Sequence, residues 1–470
     1  MRRLAPIGLL LLLLAAAAAT AVTATAENVS ELRNERSTAP PSDGADWPLW
    51  SGPSGDLTSP GHGLFEGGAF DLERVWSRPL GSAYSGILAV DGRLVTTYSD
   101  GAWDYLVALD ASNGAERWRY RISETYKGTA NADDGPLSTP TVDGGAVYGL
   151  GSTGDLFALA LGDGEERWRL NLVEEVGAVM PRFGFTTAPL VLGDLLVVLT
   201  GGGDGRAITA FERETGAVRW STGDDPVTYQ SPLVLEVGGE SQLVAVTDRS
   251  LLGLAPGTGE VLWRHRHTEG DGRGFAAAQP VPVGEGGVLL IDGDESALFQ
   301  VEKSGDAYTV GEAWRSRALR SQGNFATPVP HGGYLYGFAG RFLTCVDAAT
   351  GERVWRSRPP GLGNLVLVDG HLVILARSGE VVVAEATPEG YVEVSRVEAL
   401  ERGYFTRPSF AQGTFYVRNL KEIAAIGVTG ADTAPAADTE VAGLGQSGAA
   451  GELRGDFGAF VKKLTAAEKK

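Results

Sequence analysis

The apolar positions of this chain fall into short runs rather than into helical stripes. Two of these runs, 145–150 and 156–159, are separated by a turn made of Ser, Thr, Gly and Asp. Short apolar runs bounded by turn-forming residues are typical of β-strands joined by tight hairpins. The pattern predicts a meander of strands with no room for helices.

A tryptophan recurs along the chain at intervals of 41 to 52 residues, which is the length of one blade in a β-propeller. A turn that contains Asp, Asn or Thr followed by Gly precedes most of these tryptophans, as in 109–118 and 350–355. The Asp and Thr side chains can cap the turn, and Gly supplies the positive φ that closes it. We expect the indoles to cover apolar seams between neighbouring blades rather than to form a row of ligand-stacking aromatics. The repeated tryptophans are Trp76, Trp118, Trp168, Trp220, Trp263, Trp314 and Trp355.

A proline marks the start of most of the predicted units, for example after Thr139, Ser231 and Thr327. Proline is tolerated where a strand begins because no ladder hydrogen bond is yet needed from its nitrogen. Counting units by their first apolar strand gives eight; the seventh unit lacks a tryptophan, so a seven-bladed ring is the alternative. The units begin near Tyr84, Leu137, Thr187, Gln230, Ala278, Ala326, Leu362 and Thr406.

The two ends of the repeat region complement each other. The last unit stops without its tryptophan strand, whereas 72–76 precedes the first unit and has no blade of its own. We therefore expect this N-terminal segment to form the outer strand of the last blade, which leaves only short, protected sheet edges. The predicted fold is an all-β, eight-bladed β-propeller of four-stranded antiparallel blades, closed by an N-terminal strand and spanning residues 46–428.

The segments outside the repeats predict export. Arg2 and Arg3 precede a short apolar stretch, and small residues surround Ala26, as in a signal peptide covering 1–26; an uncleaved membrane anchor is the alternative. Residues 27–45 are expected to be flexible, 429–451 to be a low-complexity linker, and 452–470 to be a short amphipathic helix or tail. We expect a periplasmic or secreted monomer with no integral membrane span after cleavage.

Composition narrows the possible partners. The formal charge of −19 would repel phosphate backbones, so we expect no nucleic-acid binding.

Cys345 is the single cysteine, which excludes an intrachain disulfide. Its apolar surroundings predict a buried thiol.

The sequence contains incomplete sets of candidate metal ligands. His265 and His267 share one face of a predicted strand and could supply half of a zinc site, but a polar outer face is the preferred interpretation. The oxygen-rich segments 292–295 and 133–134 are expected to be solvated turns, and the glycines of 201–205 to form a hairpin turn. We expect no metal.

The connections just before each proline contain arginines and aromatics, and in a propeller these connections share one face around the channel mouth. That composition is typical of a contact surface. The alternative is that the aromatics plug the channel and the arginines pair with carboxylates. The candidate binding residues are Tyr126, Lys127, Arg182, Phe183, Tyr229, Arg273, Phe275, Asn324, Phe325, Arg402 and Tyr404.

The repeats, each with its Thr-Gly-Glu-type turn, its tryptophan and its proline-marked strand, resemble those of the PQQ-binding-like eight-bladed β-propellers. That superfamily includes quinoprotein alcohol dehydrogenases and the outer-membrane assembly protein BamB. The opening segment 46–53 (DWPLWSGP) is similar to the start of many exported bacterial members. The resemblance covers about residues 46–428 and specifies fold far better than function.

For the dehydrogenases, the resemblance implies a quinone held between a tryptophan and a vicinal disulfide, with calcium bound by carboxylate and amide oxygens. The single cysteine removes one wall of that site, and no calcium ligand set can be mapped onto the sequence. We expect a non-catalytic, exported scaffold that binds an envelope protein or another ligand through one face, without a cofactor. A PQQ-dependent alcohol or sugar dehydrogenase using PQQ and calcium, and a carbohydrate-binding module, are the alternatives.

Overall fold

The structure, a computed structural model, describes residues 46–59, 63–65, 70–128, 133–267, 278–320, 325–403 and 406–430. The predicted signal peptide, the predicted flexible segment 27–45 and the predicted tail 452–470 lie outside these residues. So does the predicted linker after Gly430.

The strands form eight sheets, and each contains a meander of four antiparallel strands. The predicted eight-bladed propeller is therefore confirmed, and the seven-bladed alternative is wrong. We number the blades along the chain and label their strands A to D from the channel outwards. Two strands precede blade 1: β1 (Thr58–Ser59) and β2 (Asp71–Pro79).

The first four blades occupy residues 88–266. In chain order they contain β3 (Leu88–Val90), β4 (Arg93–Ser99), β5 (Trp103–Asp110), β6 (Glu116–Glu124), β7 (Thr141–Asp143), β8 (Ala146–Leu150), β9 (Asp155–Ala160), β10 (Glu166–Asn171), β11 (Leu190–Leu192), β12 (Leu195–Gly202), β13 (Arg206–Glu212), β14 (Val218–Thr222), β15 (Leu233–Val237), β16 (Glu240–Val246), β17 (Ser250–Leu254) and β18 (Val261–Arg266).

The last four blades occupy residues 281–429, and β1 adds a short parallel strand to blade 7. In chain order they contain β19 (Val281–Pro282), β20 (Gly287–Asp292), β21 (Glu295–Ser304), β22 (Ala307–Ser316), β23 (Val329–His331), β24 (Tyr334–Ala339), β25 (Phe342–Asp347), β26 (Arg353–Ser357), β27 (Gly363–Val368), β28 (His371–Ala376), β29 (Glu380–Glu385), β30 (Glu393–Glu398), β31 (Ser409–Ala411), β32 (Thr414–Arg418) and β33 (Glu422–Thr429).

Blade 8 is closed by the N-terminal strand. Its A, B and C strands are β31, β32 and β33, and β2 pairs antiparallel with β33 from Asp71 opposite Thr429 to Pro79 opposite Glu422. This confirms the predicted closure, and β33 runs one residue beyond the expected end of the propeller.

The buried Arg418 of blade 8 also connects this blade to blade 1, because its guanidinium donates to Thr96 Oγ1 at 2.9 Å and to Thr97 O at 2.6 Å.

The recurring turn between strands C and D forms for local reasons. In blade 6, Asp347 Oδ1 accepts hydrogen bonds from the backbone N–H groups of Ala349 and Thr350, both at 2.9 Å. Gly351 then adopts a φ of +73°, and its N–H donates to the Asp347 carbonyl at 2.9 Å. A side-chain acceptor followed by a left-handed glycine reverses the chain within a few residues.

This turn also receives the tryptophan of the preceding blade. Six indoles donate from Nε1 to a carbonyl in the C–D connection of the next blade, at 2.8 to 3.1 Å. The bonded carbonyls belong, in the order of the tryptophans, to Ala111, Leu161, Arg213, Pro256, Ala348 and Thr387. The indoles therefore join consecutive blades at their outer seams.

Trp263 differs because blade 5 offers it no such turn. Strands β21 and β22 stay paired as far as Ser304 opposite Ala307, so a long hairpin replaces the usual turn. Trp263 is buried in the seam between blades 4 and 5 but donates from Nε1 to Gln242 Oε1 of its own blade at 2.5 Å.

The missing tryptophan of blade 7 has a topological explanation. Ser395 occupies the equivalent register position in β30. The next blade is blade 8, whose C and D strands come from opposite ends of the chain and therefore share no turn on which an indole could lie. Phe65 packs between the B strands of these two blades, 4.5 Å from the His371 ring of blade 7 and 6.4 Å from the Phe415 ring of blade 8.

Because meander strands alternate in direction, the inter-blade connections and the B–C turns share one face of the ring. We call it the connection face. Hydrogen bonds join the two sets: Thr125 N donates to Ala102 O at 3.0 Å, and Leu400 N donates to Gly379 O at 3.0 Å. The A–B and C–D turns lie on the opposite face.

The prediction of a chain without helices is wrong at one connection. Helix α1 (Leu172–Val176) lies between blades 2 and 3. The Asn171 side chain caps its first turn by accepting from Val173 N at 3.0 Å, and Gly177 ends it at a φ of 68°. An Asn cap and a left-handed glycine allow a short helix without any apolar periodicity.

Candidate functional site

Seven of the eleven predicted binding residues lie in the described part of the chain, all on connections of the connection face. They are Tyr126, Lys127, Arg182, Phe183, Tyr229, Phe325 and Arg402. The other four, which are Arg273, Phe275, Asn324 and Tyr404, lie outside the described residues.

Three connections meet in one aromatic cluster. Phe183 N donates to the Tyr229 hydroxyl at 3.3 Å, and the two rings are 5.7 Å apart. The Arg182 guanidinium lies 5.2 Å from the centre of the Phe183 ring, a cation–π distance. A Cβ on Gly184 would lie 3.1 Å from the Tyr126 hydroxyl, so Tyr126 packs directly against this connection.

Some of these residues are buried or paired, and others are exposed as a contact surface requires. Tyr229 is 7% exposed, and burial raises the pKa of its hydroxyl to about 12, so this side chain fills the interior of the face. The ammonium of Lys127 pairs with Asp134 at 2.8 Å. Arg182 and Arg402, by contrast, are exposed.

Two exposed apolar side chains in this region are not among the residues predicted from the sequence. Val179 and Met180 are 58% and 50% exposed. They follow α1 on a connection that is held firmly: Ala178 is buried with its N–H bonded to Leu172 O at 3.0 Å, and Val179 N donates to Thr200 O at 2.9 Å. We call Val179 and Met180 the apolar knob. The signal in the sequence was a pair of large apolar residues in a segment without strand periodicity.

A buried carboxylate lies beneath the neighbouring connection. Asp104 is almost fully buried and accepts a hydrogen bond from Tyr126 N at 3.0 Å. Burial raises the pKa of Asp104 to about 6, against the opposing effects of that hydrogen bond and of Lys127. Asp104 thus connects the Tyr126 connection to blade 1 by a hydrogen bond. Its burial makes ionisation of the carboxyl group unfavourable.

The residue before each proline joins neighbouring blades at the channel. Thr139 Oγ1 accepts from Gly86 N at 2.8 Å, Ser231 Oγ from Ala188 N at 2.9 Å, and Thr327 Oγ1 from Gln279 N at 3.0 Å. The first strands of these blades then begin directly after the prolines, at Thr141, Leu233 and Val329, as the sequence predicts.

Arg407 is the charged member of this set, and it is buried. Its Nη2 donates to Thr327 Oγ1 at 2.7 Å, and its guanidinium lies 3.7 Å from the centre of the Trp50 ring. Burial lowers the pKa of Arg407, although a guanidinium remains protonated at neutral pH. The 46–59 segment that carries Trp50 bridges blades 1 and 7, since Trp47 N donates to Ala89 O at 2.6 Å and Leu367 N to Leu57 O at 3.0 Å.

The quinone and calcium site that the dehydrogenase resemblance implies needs a vicinal disulfide and a set of oxygen ligands. Within the described ranges, no cluster of three or more His, Cys, Asp or Glu side chains could hold a metal ion. Cys345 is a free, buried thiol, as predicted. The His265 ring packs against Phe299 with the ring centres 5.0 Å apart and the planes tilted by 54°, and His267 Nε2 lies 3.0 Å from Thr247 O, so neither imidazole converges with other described ligands.

A family model matches most of the propeller. The family model described as "Outer membrane protein assembly factor BamB" matches residues 68–176, 129–337 and 303–419. The chain belongs to this BamB-like family. BamB from Yersinia pestis is 27% identical over 309 residues, covering 63% of this chain and 70% of that protein.

The chain is also similar to quinohemoprotein alcohol dehydrogenases. Quinohemoprotein alcohol dehydrogenase ADH IIB from Pseudomonas putida is 24% identical over 274 residues, or 47% of this chain; the match spans only 38% of that enzyme. Among solved structures, BamB from Moraxella catarrhalis has a TM-score of 0.57 at 16% identity, covering 76% of this chain and 99% of that one. Quinohemoprotein alcohol dehydrogenase from Comamonas testosteroni has a TM-score of 0.62 at 14% identity, covering 89% and 85%. At these identities the structural matches establish the fold alone.

No helix in the described residues is both long enough and apolar enough to cross a lipid bilayer.

Proposed function

We propose that this protein is a non-catalytic binding scaffold of the bacterial envelope, which holds a protein partner on its connection face. The observation that carries the proposal is the apolar knob, two exposed side chains presented by a connection whose backbone is fixed on both sides. Exposed apolar side chains on a rigid support are typical of interface anchors, because little entropy is lost when they become buried.

The surroundings of the knob support this role. Arg182 lies exposed beside it and stacks on Phe183, which in turn contacts the buried Tyr229. Aromatic and arginine side chains around an apolar centre are the composition of interface hot spots. The assembly-factor function named for the BamB relatives is consistent with a protein partner in the envelope.

The proposal is tested by affinity capture from an envelope extract with the purified full chain. The test variant combines Val179→Asp with Met180→Asp. The matched control combines Val75→Asp with Val218→Asp on outer strands, since these valines are 58% and 51% exposed and lie away from the connection face. We expect the wild type and the control to recover the same partner, and the test variant to lose it by about tenfold or more.

Either of two results would contradict this function: a wild-type chain that recovers no specific protein, or equal recovery by the test variant and the control. Thermal melting of each variant establishes that loss of capture does not reflect unfolding.

The dehydrogenase is the competing candidate because of the two quinohemoprotein matches. It is tested by adding PQQ and calcium to the purified chain and following dye reduction with alcohols and sugars. We expect no quinone-dependent turnover; turnover would replace the scaffold proposal.

A further inference from the structure

The charges of the connection face are divided between two arcs of the ring. Over blades 6 to 8, the connections and B–C turns are predominantly basic. The basic side chains that carry this arc are Arg317, Arg320, Arg341, Arg358, Arg402 and Lys421. Among the described residues of these connections and turns, the acidic one is Glu401.

The carboxylates at the adjoining strand ends, Glu380, Glu398 and Glu422, are fewer than the basic side chains of this arc and do not cancel their charge. Glu380 is moreover paired with Arg396 at 2.8 Å. The result is a local positive arc on a chain with a net charge of −19.

Over blades 1 to 3, the same face has the opposite sign. Its acidic side chains are Asp100, Asp133, Asp134, Glu174, Glu175 and Asp204. Lys127 pairs with Asp134 at 2.8 Å, and Arg206 lies 3.8 Å from Asp204, which leaves most of the acidic charge of this arc uncompensated. Arg182 lies on this arc beside the apolar knob.

The basic side chains are accessible to a partner. Arg341, Arg358 and Arg402 are exposed. The ion pairs of Arg317 with Glu295 at 3.4 Å and of Lys421 with Glu401 at 3.6 Å are both largely exposed to solvent. Pairs of this kind contribute little in water, so these cations can exchange partners at small cost.

We propose that the arc over blades 6 to 8 binds an acidic polypeptide segment of the partner protein. This inference rests on the proposed function, and it adds the chemistry and orientation of the partner. Opposite charges on the two arcs favour one docking orientation, with the acidic segment over blades 6 to 8 and the remaining contact surface over the apolar knob. Complementary potentials of this kind mainly set the association rate and the register of a complex.

The division of charge favours a protein segment over an anionic membrane. A bilayer lying flat on this face would meet the acidic arc and the basic arc together, and the acidic arc would be repelled by the lipid phosphates. A short acidic segment can lie on the basic arc alone.

The test measures binding of a fluorescently labelled oligoglutamate peptide of about ten residues to the full chain by anisotropy at low ionic strength. The test variant combines Arg341→Glu with Arg358→Glu. The control combines Arg264→Glu with Arg353→Glu, which changes the net charge equally but at exposed positions on the outer strands of blades 4 and 6. We expect the test variant to bind about tenfold more weakly and the control to stay within about twofold of the wild type.

Equal weakening by both variants would overturn the inference, because it would show a response to net charge alone. Absence of peptide binding, or stronger binding to phosphatidylglycerol vesicles than to the peptide, would also overturn it. The single change Arg402→Glu repeats the test with less disturbance of the fold, and we expect a smaller loss in the same direction.

Failure of this inference is distinguishable from failure of the proposed function. If the Arg341→Glu, Arg358→Glu variant still captures the envelope partner while the knob variant does not, the scaffold function stands and the acidic-segment inference is wrong. If the wild type captures no partner, the scaffold function fails whatever the peptide result.

Discussion

The indole of Trp314 in blade 5 packs directly against the α-carbon of Gly351 in blade 6. A Cβ on Gly351 would lie 2.4 Å from Cε3 of the ring, and the indole Nε1 donates to Ala348 O at 2.9 Å. The same close approach recurs at four other seams. The pairs are Trp76 with Gly114, Trp118 with Gly164, Trp168 with Gly216, and Trp220 with Gly259. The repeated glycine therefore serves the turn and the seam together.

Gly351→Ala is expected to destabilise the protein by about 2–4 kcal/mol. Part of the loss comes from a side chain held at a φ of +73°, and the rest from displacement of the Trp314 ring by the new methyl group. Urea unfolding followed by tryptophan fluorescence measures the change.

Gly340→Ala separates the two contributions. Gly340 lies in the same blade with a φ of +64°, but nothing lies within 4 Å of the position its Cβ would take. This variant should lose only about 1 kcal/mol, the cost of the left-handed conformation. Equal losses for the two variants would mean that the indole contact contributes nothing.

Asp104→Asn is expected to stabilise the protein at neutral pH but not at low pH. Because burial raises the pKa of Asp104 to about 6, the protonated carboxyl favours the folded state. That contribution is fully present below the ordinary pKa of 3.8 and is lost as the pH rises through 6. Asparagine stays neutral and can still accept from Tyr126 N, so it should add on the order of 2 kcal/mol at pH 7–8.

The measurement is the melting temperature of wild type and variant between pH 4 and pH 8. The curves should lie close together at pH 4 and separate as the pH rises. A constant difference across this range would show that ionisation of Asp104 does not affect stability.

Thr327→Val should weaken the centre of the ring. Thr327 Oγ1 accepts hydrogen bonds from Gln279 N and from the buried guanidinium of Arg407, and valine has the same shape without the acceptor. Leaving both buried donors unpaired should cost about 2–4 kcal/mol.

Thr327→Ser retains the hydroxyl and serves as the control, with an expected loss of about 1 kcal/mol for the missing methyl group. Hydrogen exchange at Gln279 supplies a second readout, since its amide should exchange faster in the valine variant. Unchanged exchange there would contradict the proposed role of Thr327 at the channel.

The architecture could be predicted because it repeats. Turn residues and tryptophans recur at blade spacing, and the unmatched strand around Trp76 left one possible partner, the unmatched last unit near Ala425. Strand pairing depends on the local alternation of apolar and polar residues and on the residues of the turns, and both can be identified in the sequence. The seams between blades 4 and 5 and between blades 7 and 8, which lack the standard indole hydrogen bond, were harder to predict. They depend on the long hairpin of blade 5 and on the pairing of the two chain ends in blade 8.

The site depended on contacts between distant residues. Thr139 and Thr327 were predicted only as strand starts, whereas the structure bonds them across blades. Likewise, Tyr126 and Tyr229 were equivalent candidates by sequence, and packing left one half-buried and the other almost fully buried.

The sequence by itself thus determined the repeat architecture, the closure and the structural tryptophans, since each follows from a short pattern that repeats, and the structure settled the choice between seven and eight blades. Only the tertiary structure decided which connection residues are exposed and how their charges are distributed over the face. Exposure and local charge depend on which blades lie side by side in the closed ring, and no segment of the chain specifies that alone.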